Sequence, residues 1–282
     1  MPGNQCVPGH EYRVRQRSLQ RHLHRHRRCH WSHQLRRFHL VPRHLSLGRD
    51  ARLLVLTGAG VSAESGLPTF RDANGLWEHH AIEAVASPEG FAADPALVWR
   101  FYSQRRAGAL TCAPNAGHRA LAEVETQLGE RFLLATQNVD GLHARAGSQR
   151  LVEVHGNLFR TRCSACSRPP FEDQAQYLSS LPRCDRCHGL LRPDIVWFGE
   201  MLNPAHLKRV EAFLAHPAPR TVFLAVGTSG VVYPAAGWVQ LAKEYGAETW
   251  LVNAEAADNG AHFDTFVCAK SAEVLPDLLL GA

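Results

Sequence analysis

Arg52-Leu53-Leu54-Val55-Leu56-Thr57 runs directly into Gly58-Ala59-Gly60-Val61-Ser62-Ala63, and this junction decides the fold. The first half is a short apolar run bounded by a turn, the pattern of a strand buried in a parallel sheet. The second half fits the dinucleotide pattern G-x-G-x-x-G/A. In that pattern Gly58 permits the tight turn and Gly60 lets the backbone approach a pyrophosphate. Ala63 is small enough for helix and strand to pack closely, with the helix N-terminus facing the phosphates. The continuation, Glu64-Ser65-Gly66-Leu67-Pro68-Thr69-Phe70-Arg71-Asp72, departs from a dehydrogenase. Gly66-Leu67-Pro68 stops any long helix. The acid expected about 20 residues on, at the end of a second strand, is missing. Hydride transfer is therefore disfavoured.

The α/β alternation continues downstream. Arg131-Phe132-Leu133-Leu134-Ala135-Thr136 reads as a strand that ends at Gln137-Asn138-Val139-Asp140-Gly141-Leu142-His143. Leu151–Val154 ends at His155-Gly156-Asn157, Val222–Val226 at Gly227-Thr228-Ser229, and Thr249–Val252 at Asn253. Each apolar run thus delivers small or polar residues just past its carboxyl end, the edge where open α/β sheets bind ligands. A single such residue is ordinary loop; the recurrence at one edge predicts a site.

Cys163-x-x-Cys166 and Cys184-x-x-Cys187 stand seventeen residues apart, within the four-thiolate zinc spacing C-x₂-C-x₁₅₋₂₀-C-x₂-C. Each knuckle aims two sulfurs at one tetrahedral ion, and four thiolates leave no open position, so the zinc is structural. Pro169-Pro170 and Pro182 make the intervening segment loop-like. With no secretory leader legible, a reducing compartment and a metal are expected rather than two disulfides. Cys6, Cys29, Cys112 and Cys268 stand outside this spacing.

The 282-residue chain, 45% hydrophobic and 20% charged, has ordinary globular usage, and no apolar run is long enough to span a bilayer. Its net charge of +5 is misleading. Residues 1–49 hold eleven Arg and a single acid, Glu11, for +10, which leaves −5 on the remainder. The first segment shows no sustained periodicity and reads as a disordered extension; a targeting peptide and a nucleic-acid arm are the alternatives. Three Lys against twenty-eight Arg, with abundant Ala, fits a GC-rich prokaryotic coding bias. The expected location is accordingly cytoplasmic, or mitochondrial were the source eukaryotic.

From about residue 50 to 282 the sequence resembles the sirtuins, the NAD-dependent protein deacylases. The resemblance is carried by Gly58–Gly66, Thr69-Phe70-Arg71, Thr136–His143, His155-Gly156, the two cysteine pairs, Val196-Trp197-Phe198-Gly199-Glu200, Gly227-Thr228-Ser229 and Asn253. It implies a Rossmann-type parallel-sheet NAD domain (about 50–72, 110–156 and 195–282). A smaller domain, about 73–109 plus a zinc module at 157–194, would be inserted into it. It implies NAD as co-substrate, one structural zinc, acylated lysine side chains of proteins as partners, and release of nicotinamide and O-acyl-ADP-ribose. His155 would be the base that activates a ribose hydroxyl, a task suited to imidazole near neutral pH. Gln137, Asn138, Val139 and Asp140 would hold the ribose and the nicotinamide amide. Gly58, Ala59, Gly60, Ser62, Ala63, Glu64, Thr69, Phe70, Arg71 and Trp77 would form the phosphate and nicotinamide side. Gly227, Thr228, Ser229, Asn253, Ala254, Glu255 and Ser271 would line the adenosine half, and Val196 and Phe198 the lysine channel.

Tyr102 and Arg105 lie three apart in a helical stretch after Asp94-Pro95 and so share a face. A phenol and a guanidinium there can grip a carboxylate together. The pair resembles the signature of sirtuins that remove malonyl, succinyl and glutaryl groups, which implies desuccinylase and demalonylase activity beside deacetylation. The flanking Arg106 is expected at the surface. Two other functions are compatible with parts of the chain. A mono-ADP-ribosyltransferase could use the same scaffold but would give the Tyr102/Arg105 pair no purpose. A zinc-ribbon nucleic-acid binder would have to work through the basic segment alone, since the rest is acidic.

Overall fold

The computed structural model describes residues 44–48, 50–68, 76–77 and 80–281. Thr69, Phe70, Arg71 and the Trp77 side chain lie outside the described residues, as do residues 1–43. In chain order the strands are β1 (Ala51–Thr57), β2 (Phe132–Thr136), β3 (Leu151–Glu153), β4 (Gly156–Cys163), β5 (Phe171–Glu172), β6 (Leu191–Ile195), β7 (Arg220–Val226), β8 (Glu248–Asn253) and β9 (Thr265–Cys268). A two-residue hairpin pairs Leu76–Trp77 with His80–Ala81. The principal helices are α1 (Pro95–Thr111), α2 (Ala116–Leu128), α3 (Pro204–Ala215), α4 (Trp238–Glu244) and α5 (Ser271–Leu280).

Six strands form one sheet in the order β9-β8-β7-β1-β2-β3, every pairing parallel. All seven residues of β1 are buried, because helices cover both faces. Leu53 and Val55 join Leu121 and Val124 of α2 and Leu275 and Leu278 of α5 in one core. Leu54 and Leu56 point the other way, into a core with Val210 and Phe213 of α3 and Val239 of α4. Each buried Leu or Val contributes about 1.5–3 kcal/mol, which fixes the register of the strand on both sides.

The chain leaves β1 outward to β2 and β3, then returns to β7 on the opposite flank of β1. Strand order therefore reverses between β1 and β7, and a crevice opens at their carboxyl ends. The backbones after these two strands touch there. The Gly58 N–H donates to Val226 O at 2.9 Å and the Gly60 N–H to Gly227 O at 2.8 Å. A Cβ on Gly60 would sit 2.7 Å from Gly227 Cα, and Gly227 adopts φ +62°, so only glycine fits either position. The helix that follows spans only Gly60–Ala63, as Gly66-Leu67-Pro68 leads one to expect.

The folded body starts before the expected boundary at residue 50. Leu45 is 1% exposed in the α2/α5 core, and its N–H donates to Leu278 O at 2.6 Å. Ser46 O accepts from Arg220. Charge bias obscures this in the sequence, since the Arg-rich run continues to Arg49 while the apolar anchors Leu45 and Leu47 are isolated.

The second sheet is antiparallel, β5-β4-β6. It shares a core with α1, in which Val98, Trp99, Phe101 and Tyr102 meet Leu158, Phe159, Leu191 and Ile195. Asp94 starts α1 by accepting the Leu97 N–H at 2.8 Å, with Pro95 at the first helical position. Arg106 corrects the sequence expectation of a surface residue: it is 0% exposed. Its Nε donates to Leu158 O, Nη1 to Asp173 Oδ2 and Ala175 O, and Nη2 to Arg160 O and Thr161 Oγ1. All five guanidinium N–H groups are thereby matched. With 3.6 residues per turn, Arg106 follows Trp99 and Ser103 onto the face toward β4, and Arg105 turns away from it.

Candidate active site

The crevice widens into a cleft of about 2300 Å³ between the two sheets, well above the usual 300–1,000 Å³ of a single small-ligand pocket (about one ligand's worth). Loops after β1, β2, β3, β7 and β8 line one side, and α1 and the 196–202 segment the other. Among the expected site residues, Gly58, Ala59, Gly60, Ser62, Ala63, Glu64, Gln137, Asn138, Val139, Asp140, His155, Gly227, Thr228, Ser229, Asn253, Ala254, Glu255 and Ser271 line this cleft. So do Tyr102, Arg105, Val196 and Phe198.

His155 follows β3 and is half-buried. Its Nδ1 lies 3.0 Å from Gln137 O. A carbonyl only accepts, so Nδ1 carries the hydrogen and Nε2 keeps its lone pair. Burial lowers the imidazole pKa, and the bond to Gln137 only partly opposes this. At neutral pH the ring is a neutral base. Gln137 also ties the cleft together: its N–H donates to Thr57 O at 2.9 Å and its side-chain amide to Thr228 Oγ1 at 3.2 Å.

The floor holds a buried polar group. Ser62 Oγ donates to Asp140 Oδ2 at 2.8 Å, and Asn138 Nδ2 donates to Gly58 O at 3.1 Å and to Ser62 Oγ at 3.2 Å. Burial pushes the Asp140 pKa up, against the Leu142 N–H and the Ser62 hydroxyl that pull it down. Behind them stand two histidines that sequence reasoning did not place in the site. His118 Nε2 lies 3.4 Å from Ser62 Oγ, His143 Nε2 lies 2.9 Å from Thr57 Oγ1, and the two rings are 4.7 Å apart. Burial, aided by the Arg119 charge, depresses His118 to about 4. The sequence carries a signal for each: His143 closes the Gln137–His143 stretch past β2, and Asn115-x-x-His118 forms a capping box on α2.

At the other end, Glu64 Oε2 accepts from the Ser271 hydroxyl at 3.2 Å and the Ala272 N–H at 2.9 Å. Asn253 Nδ2 donates to Thr228 O at 3.0 Å. The 227–230 loop, Asn253 and the start of α5 thus form one continuous polar rim.

Along the α1 wall, Tyr102 is 0% exposed yet contributes to the cleft lining, and burial pushes its phenol pKa well above the usual range. Its oxygen accepts from Trp197 Nε1 at 2.9 Å. The Arg105 guanidinium carbon sits 5.6 Å from the Phe101 ring centre. Trp197 is a further wall residue that the sequence quotes only within a motif.

The four cysteines of the β4/β6 module bring their sulfurs within 4.8 Å of one another. Cys163 and Cys187 are 3.5 Å apart and Cys166 and Cys184 3.8 Å. These distances exclude disulfides and match the ~3.8 Å edge of a tetrahedron with 2.3 Å Zn–S bonds. The Ala165 and Cys166 N–H groups point at Cys163 Sγ, and the Arg186 N–H at Cys184 Sγ, which favours thiolate. The residues fit one closed, structural zinc.

A doubly wound parallel sheet with a glycine turn at its switch point, and a tetracysteine module inserted beside it, defines a Rossmann-type dinucleotide-binding protein with a structural metal site. The pattern of the Sir2 family matches residues 58–234. The NAD-dependent protein deacylase of Thermococcus kodakarensis is 47% identical over 247 residues, covering 83% of this chain and 94% of that protein. The NAD-dependent protein deacylase of Pasteurella multocida is 45% identical over 235 residues, covering 82% and 97%. A solved Sir2 homologue–NAD complex aligns with TM-score 0.75 at 41% identity, covering 82% of this chain and 88% of that one. The chain belongs to the Sir2 family.

Proposed function

We infer that this chain is an NAD-dependent protein deacylase acting on acylated lysine, and we propose that it favours acyl groups ending in a carboxylate. The first statement follows the relatives named NAD-dependent protein deacylase and a solved Sir2 bound to acetylated peptide, 29% identical. The observation that carries it in this chain is His155, with Nδ1 committed to Gln137 and Nε2 available in the cleft.

When bound, NAD supplies a ribose carbon from which nicotinamide can leave. The glycine turn at Gly58–Gly60 and the rim of Gly227, Ser229, Asn253 and Ser271 suit the phosphate and adenosine parts. Ser62, Asn138 and Asp140 present a hydroxyl, an amide and a carboxyl to the ribose and carboxamide. His155 takes a proton from a ribose hydroxyl through Nε2. Val196 and Phe198 flank the path of the lysine stem. The zinc, held by four sulfurs, stabilises the small domain and does no chemistry.

Acyl preference rests on Tyr102 and Arg105, both of which line the cleft on the α1 side. Arg105→Met tests it. Removing the charged partner of a buried carboxylate costs about 2–5 kcal/mol, or about 30- to 5,000-fold in kcat/KM for a succinyl-lysine peptide. Acetyl-lysine, with no carboxylate, should change little. Equal losses on both substrates would overturn the preference and leave a plain deacetylase.

A further inference from the structure

The cap of α2 reaches the floor of the cleft. The Asn115 side-chain oxygen accepts the Gly117 and His118 N–H groups, and the Asn115 backbone N–H donates to His118 Nδ1 at 3.3 Å. A backbone N–H can only donate, so Nδ1 carries no hydrogen. The ring is therefore neutral, and its one hydrogen sits on Nε2. Burial, which depresses the His118 pKa to about 4, keeps it so at neutral pH. The side chain is 0% exposed and its ring packs against that of His143, 4.7 Å away.

The Nε2 hydrogen faces Ser62 Oγ at 3.4 Å. Asn138 Nδ2 lies 3.2 Å from the same oxygen, and its 3.1 Å contact with Gly58 O, which only accepts, identifies it as the nitrogen of the amide. Two donors thus fill both acceptor positions of the Ser62 hydroxyl. Its own hydrogen remains, and Asp140 Oδ2 takes it at 2.8 Å. The other oxygen, Asp140 Oδ1, accepts the Leu142 N–H at 2.9 Å. A chain of set direction therefore runs from a helix cap to a buried carboxyl group, and both oxygens of that group serve as acceptors.

We propose that His118 is a positioning residue for nicotinamide: by giving its Nε2 hydrogen to Ser62 it commits the Ser62 hydroxyl to Asp140, and so keeps the Asp140 carboxylate an acceptor for the N–H groups of the carboxamide. The inference rests on the reading above in which Asp140 meets the carboxamide of NAD. An imidazole of the opposite tautomer would draw the Ser62 hydrogen to itself. The buried carboxyl would then be short of a donor, which favours its neutral form. The capping box that starts α2 thereby also selects the tautomer that the cleft uses.

The test compares calorimetric binding of NAD and of ADP-ribose, which lacks nicotinamide, to the full-length protein. His118→Phe keeps a ring and removes both nitrogens. It should weaken NAD about three- to tenfold more than ADP-ribose, the worth of one hydrogen bond. His118→Gln should recover most of that difference, because glutamine at this capping-box position can accept the Asn115 N–H and still donate to Ser62. Nitrogen NMR of the histidine-labelled wild type needs no variant to fold, and should show the His118 hydrogen on Nε2 and none on Nδ1 at neutral pH. Equal losses on both ligands in His118→Phe, a Gln variant no better than Phe, or a hydrogen on Nδ1 in the wild type would each overturn the inference. Asp140→Asn separates it from the reading beneath it. If that variant leaves the NAD-to-ADP-ribose affinity ratio unmoved, the carboxamide reading falls and takes the inference with it; if it moves the ratio and His118→Phe does not, only the inference fails.

Discussion

Replacing Arg106 with Met should be among the most destabilising single changes in the small domain, although the residue touches no ligand. The Met chain occupies most of the volume of the arginine stem, so little cavity results. What is lost is the guanidinium and its five hydrogen bonds to Leu158, Arg160, Thr161, Asp173 and Ala175. The Asp173 side chain is only 7% exposed and would be left as an uncompensated charge. Burial would raise its pKa, but the Thr161 hydroxyl, the Ala175 N–H and Arg106 hold it below the usual carboxylate range. Breaking such a pair from one side costs about 3–5 kcal/mol. For a domain of this size that lowers Tm by roughly 6–20 °C, at about 2–4 °C per kcal/mol. Differential scanning calorimetry on wild type, Arg106→Met and Arg105→Met provides the contrast, with the half-buried Arg105 expected to lose less than about 1 kcal/mol. The double variant Arg106→Met/Asp173→Leu should recover part of the loss, because it removes the stranded charge. Arg106→Met within about 1 kcal/mol of wild type would refute the reasoning and return the residue to the surface role that its sequence context suggests.

His155→Ala should reduce deacylation about 10²- to 10⁴-fold while calorimetric NAD binding persists, because the base acts only during reaction; wild-type turnover would remove it from the mechanism. Since burial lowers the His155 pKa, its base form persists as pH falls through 6.5, and the acid limb of the kcat/KM profile should lie below that value; a limb above it would contradict the assigned environment. Cys184→Ala should abolish stoichiometric zinc by elemental analysis and unfold the β4/β6 module, since metal binding is coupled to folding; full zinc content would sink the four-thiolate site. Leu45→Ala should cost about 2–5 kcal/mol by denaturant titration, whereas a surface-like loss under about 0.5 kcal/mol would restore the expected boundary at residue 50.

The parts of this molecule that are legible in its sequence depend on neighbours along the chain. The runs that become β1, β2 and β7 are apolar at their centres because each is covered on both faces, and each ends in the small or polar residues of a cleft. The cysteine knuckles are legible because the spacing within each pair is itself the geometry. β9 is not, because Thr265-Phe266-Val267-Cys268 lies at the sheet edge with only Val267 buried, so no apolar run marks it. The fate of Arg106 is decided by carbonyls more than fifty residues away, and the Tyr102 hydroxyl accepts a hydrogen bond from an indole 95 positions later. A periodicity argument places Tyr102 and Arg105 on one face but cannot say what stands behind that face.

α1 divides its side chains between two adjacent faces. Trp99, Ser103 and Arg106 hold the zinc-bearing sheet, through Leu191 O, the Tyr177 N–H and the β4 backbone, while Tyr102, Arg105 and Ala109 line the cleft. The two sets interleave in sequence, and Tyr102 and Ala109 also pack in the same core as Trp99, so only the half-buried Arg105 can change without disturbing the anchor set. Arg105 is thus the lining position of this helix at which a substitution leaves the packed scaffold intact. The helix thereby carries one exchangeable side chain between residues whose loss would cost the small domain its packing.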